Sequence, residues 1–60
     1  MMFELENKKM TDKDINHVIA RAAIEGIDLV RSDVVKNKVR TDNCQTMIWL
    51  QKKFGFERKQ

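Results

Sequence analysis

Residues 33–40 read Asp33-Val34-Val35-Lys36-Asn37-Lys38-Val39-Arg40, and the fold class turns on whether this octet is helical or extended. Its apolar residues, Val34, Val35 and Val39, are all β-branched, which lowers helix propensity and raises strand propensity. Ser32 stands directly before the octet and can cap a helix. With Ser32 as its cap, the stretch is read as a short helix over 33–40. The rival reading is a small strand or hairpin around Lys36-Asn37-Lys38.

The segments on either side are easier to read. Thr11 with Asp14 three residues later resembles a capping box, and Asp12 and Asp14 suit the positive end of a helix. Ile15, Val18, Ile19 and Ala22 then keep the i, i+3, i+4, i+7 spacing of an amphipathic helix, with Ala23 widening the stripe. Gly26 stops the run as a glycine past a helix end does. The pattern predicts a helix over 12–25. Ile24 falls outside its stripe, and Ile27 and Leu29 are expected to wrap over it.

Further on, Asp42 followed by Gln45 fits a second capping arrangement. Cys44, Met47, Ile48, Leu50 and Phe54 make a broad apolar face, and Gly55 ends it. A helix over 43–54 follows. In residues 1–9, Phe3 and Leu5 alternate with charges, which suits a short strand or an arm. Residues 57–60 read as a loose tail. The expected fold is therefore all-α: one domain over 1–60, a small three-helix unit of helix-turn-helix-like order with helices at about 12–25, 33–40 and 43–54.

Composition narrows the function classes. Residues 1–30 hold four basic and six acidic side chains, a balance of −2, whereas residues 31–60 hold eight and three, a balance of +5. A basic half selects an anionic partner. Cys44 is the only cysteine, so no disulfide forms within the chain. One His and one Cys supply no zinc ligand set, and no metal or cofactor is expected. No apolar run is long enough for a bilayer, and charges interrupt the first residues where a signal peptide would be apolar. A cytoplasmic protein without a membrane partner is the expectation. Neither a phosphate-binding glycine loop nor a GxSxG or HExxH string occurs, so a non-enzymatic role is expected. A 60-residue chain buries a small core, and a homodimer would support it.

Trp49 carries the sharpest single signal. It points away from the apolar side of helix 43–54, between Gln45, Lys52 and Lys53, so it can anchor a partner or stack on a base. The plainer reading packs it under the N-terminal arm or in a dimer seam. Within a helix-turn-helix, Asn43, Gln45 and Thr46 would lie in the first turn of the recognition helix, where base edges are reached. Lys36, Lys38, Arg40, Lys52 and Lys53 would neutralise phosphates. An ordinary solvated lysine face is the alternative. His17 reads as a surface histidine and Cys44 as a buried, inert thiol. Two functions follow. The first is a regulatory protein that binds duplex DNA and acts by occupancy. The second is an adaptor or inhibitor that covers an acidic site on a larger protein, using Trp49 and the basic half.

Overall fold

A computed structural model of the protein describes residues 1–59. In chain order the elements are strand β1 (Phe3–Glu6), helix α1 (Asp12–Glu25), a 3-10 turn (Arg31–Asp33), strands β2 (Val34–Val35) and β3 (Lys38–Thr41), helix α2 (Cys44–Phe54) and strand β4 (Glu57–Lys59).

The octet is a hairpin, so the all-α, three-helix reading is overturned, and with it the helix-turn-helix, whose first helix is absent. Val34 faces Val39 and Val35 faces Lys38 across antiparallel strands. Lys36 and Asn37 form the two-residue loop, and Lys36 takes φ 56. Burial alternates along β3: Val39 and Thr41 point into the protein, Lys38 and Arg40 out. That period of two belongs to a strand and places its apolar set on one face. Ser32 caps no helix and lies inside the 3-10 turn, where the Val30 backbone N–H donates to Asp33 Oδ2 at 3.2 Å.

The strands form one antiparallel sheet of order β2-β3-β1-β4. With two helices this is an α+β arrangement, and its βαββαβ order is the split, ferredoxin-like one. β1 settles the choice between arm and strand: it sits inside the sheet, with Leu5 opposite Val39 on one side and Arg58 on the other. Three residues of the expected loose tail form β4, and the fourth, Gln60, lies outside the described residues.

Both long helices form where their end signals predict. At α1, Thr11 Oγ1 accepts from the Asp14 backbone N–H at 3.3 Å, and Asp14 Oδ2 accepts from the Thr11 N–H at 3.1 Å. Gly26 closes it at φ 72, and the Ile27 N–H reaches back to the Ala22 carbonyl at 2.8 Å. Only glycine takes that left-handed backbone at no steric cost. Helix α2 starts one residue late, because Asn43 rather than Asp42 is its cap.

The helices pack on the sheet face that carries Leu5 and Val39. Ile15, Val18 and Ala22 from α1 meet Met47, Trp49 and Leu50 from α2, with Leu29 and Phe56 filling in from the loops. Ile24 is not wrapped: it stays 76% exposed. The other sheet face carries Glu4, Glu6, Lys38, Arg40, Glu57 and Lys59 and has no layer over it. Among the described residues, no helix is long and apolar enough to cross a membrane.

Candidate docking surface

The nine residues expected at the site do not share one surface. Lys38 and Arg40 lie on the open sheet face, among the protein's own carboxylates. The register sets Arg40 opposite Glu4 and Lys38 opposite Glu6. Arg40 Nε comes within 3.7 Å of Glu4 Oε2, and Lys59 Nζ within 3.4 Å of Glu6 Oε1. Such exposed pairs add little stability. They do cancel the local field, since Glu57 brings this face to three cations against three anions. No aromatic side chain stands on it, so it offers no stacking platform for bases. Lys36 lies in the hairpin loop beside Asn37, whose carbonyl accepts from the Asn7 N–H.

A second set is consumed by the fold. Asn43 Oδ1 accepts from the Thr46 backbone N–H at 3.1 Å, which caps α2. Thr46 is 1% exposed, and its hydroxyl donates to the Asp28 carbonyl at 3.0 Å. Neither side chain is free to read a base edge. Trp49 is 8% exposed and belongs to the core, which corrects its reading as an outward anchor. Its indole N–H donates to Glu25 Oε1 at 2.9 Å, and its ring meets Phe54 edge-on with centroids 5.1 Å apart. Gln45 remains exposed in the first turn. Conversely, Cys44 and Ile48, expected on the apolar face, point to solvent.

Glu25 ties the two helices together. Its second oxygen accepts from Arg21 Nε at 2.7 Å. The Trp49 hydrogen bond, and then that from Arg21, hold its carboxyl below the usual value of 4.5. Asp14 is likewise held below 3.8, first by the Thr11 backbone N–H and then by its hydroxyl. A depressed carboxylate stabilises the fold above its unfolded pKa, and that contribution is lost as pH falls through the folded value. Stability is therefore expected to decline as pH drops below about 4.5, with Trp49 fluorescence changing in step. A Glu25→Gln variant should flatten the Trp49 part of that acid response in a pH titration of emission; an unchanged profile would refute the link.

The third set is Lys52 and Lys53, in the exposed last turn of α2. The fold adds two lysines to them that the sequence reading left in a terminal arm. Asn7 Nδ2 donates to the Phe54 carbonyl at 2.7 Å, across 47 residues of chain. The same side chain accepts from the Lys9 backbone N–H at 3.0 Å, and the Asn7 N–H donates to the Asn37 carbonyl at 3.0 Å. Asn7 thus fastens the turn bearing Lys8 and Lys9 against the end of α2. Between them lies an open cleft of about 480 Å³, lined by Glu6, Asn7, Lys8, Lys9, Gly55 and Glu57.

The chain matches no protein-family model, no curated protein and no solved structure. Its surface chemistry must be read from its own side chains. Among the described residues, none of Lys8, Lys9, Lys52 and Lys53 has a carboxylate within 4.0 Å, although Lys53 lies near enough to Glu25 to help lower its pKa. Four lysine charges outweigh the roughly half negative charge of a helix C-terminus. Nine of the twelve cations lack such a carboxylate partner among the described residues; four of them stand here, on the Asn7 turn and the last turn of α2, with Glu6 and Glu57 lining the cleft beside Lys8 and Lys9. The described residues hold no group of three or more His, Cys, Asp or Glu that could bind a metal ion.

Proposed function

We propose that the protein acts by occupancy, docking its lysine-bearing end onto an acidic surface of a larger protein. One observation carries this reading: Asn7 fastens the turn of Lys8 and Lys9 to the end of α2, whose last turn bears Lys52 and Lys53, and none of the four has a carboxylate within 4.0 Å among the described residues. Unpaired cations speed encounter with an anionic partner and fix its orientation. An acidic protein surface is favoured over duplex DNA because two of the three groove-reading side chains have other work. Asn43 and Thr46 are bound within the fold, and Lys38 and Arg40 lie on the open sheet face among carboxylates, Arg40 paired with Glu4.

The test compares two charge reversals. Polyglutamate is titrated by fluorescence anisotropy against the wild type, against Lys8→Glu/Lys9→Glu/Lys52→Glu/Lys53→Glu, and against Lys38→Glu/Arg40→Glu. The quadruple variant is expected to lose binding by more than about tenfold and to lose its salt dependence, while the sheet-face variant stays within about twofold. Equal losses in both variants would sink the assignment of the site.

A further inference from the structure

The outer stripe of α2 specifies more about the partner than its sign. Cys44, Ile48 and Lys52 follow one another at i, i+4 and i+8, so they line up along one side of the helix. All three are exposed, with Ile48 at 42%. The stripe is apolar at its first residues and basic at its last, over roughly 12 Å at 1.5 Å per residue. No carboxylate occurs anywhere along α2. Its opposite side, through Thr46, Met47, Trp49 and Leu50, is spent on the core. The outward side is therefore a free, graded surface that continues into the lysine end.

We infer that α2 docks an acidic amphipathic segment of a partner protein, whose apolar side chains sit on Cys44 and Ile48 while its carboxylates reach Lys52. This deepens the docking reading above and rests on it. Complementary charge supplies the orientation: an acidic residue placed at the Cys44 end of the stripe would find no lysine of α2. A phosphate backbone meets the lysines equally well but leaves Ile48 without an apolar partner, so the stripe as a whole fits a peptide better than a nucleic acid. Burying the part of Ile48 that is still exposed changes affinity about three- to ninefold.

Two synthetic peptides of about four helical turns test this. Both carry the same number of glutamates; one bears leucines along one side and the other serines. Isothermal titration should show the leucine peptide binding about three- to ninefold more tightly. Ile48→Asp should abolish that difference, its added charge also lowering the serine peptide's affinity, while Lys52→Glu weakens both. Ile48→Ala, which leaves the exposed site uncharged, should show the same loss in smaller measure. Equal affinities for the two peptides, or an Ile48→Asp variant that still discriminates, would overturn the inference and leave the docking reading standing. If neither peptide binds and a short DNA duplex does, both fall together.

Discussion

Replacing Trp49 with alanine is expected to remove more than half of the protein's stability at 25 °C. A buried Trp→Ala change costs about 3–5 kcal/mol. A domain of this length has only about 3–9 kcal/mol to lose, at 0.05–0.15 kcal/mol per residue. The indole is 8% exposed, touches Phe54 and bonds Glu25, so no solvent-side relaxation spares the core. Trp49→Phe separates packing from polarity. It keeps a ring in place and removes the N–H to Glu25, a loss of about 1 kcal/mol, because that carboxylate can be rehydrated. Far-UV circular dichroism and urea denaturation distinguish the cases. A Trp49→Ala protein with the wild-type midpoint would return this residue to the surface role that its sequence position suggests.

Asn7→Ala is expected to cost about 1–2 kcal/mol, roughly one hydrogen bond's net worth for each of two bonds lost. The side chain holds the Phe54 carbonyl and the Lys9 N–H at once. Its removal frees the end of α2 from the turn that carries Lys8 and Lys9. Loss of stability and loss of polyanion affinity should therefore arrive together in this one variant. Amide exchange at Lys9 is the direct readout, and protection equal to wild type there would refute the role given to Asn7.

The helix ends were legible because their signals are local. Thr11 with Asp14, then Gly26 and Gly55, each act within one turn of the chain. The hairpin was harder to see because the left-handed position in its loop is held by Lys36 rather than by glycine, and no Asn-Gly or Asp-Gly pair marks it. β4 has no apolar alternation in its Glu57-Arg58-Lys59 sequence. It is a strand because β1 offers it an edge, which is long-range information. The face of α2 was misjudged for a related reason. Thr46 and Trp49 go inside since each finds a distant partner for its polar atom, at Asp28 and Glu25, and hydropathy does not register partners. Cys44 and Ile48 are correspondingly left outside. Lys8 and Lys9 escaped notice because what joins them to α2 is a single amide, that of Asn7.

The position of β1 has a bearing on synthesis. Of the four strands it is the first to be synthesised, yet its second neighbour, β4, is the last. A nascent chain that has emerged only through α2 exposes a bare backbone margin along Glu4-Leu5-Glu6. Until residues 57–59 arrive, that margin is open to strand exchange with neighbouring chains.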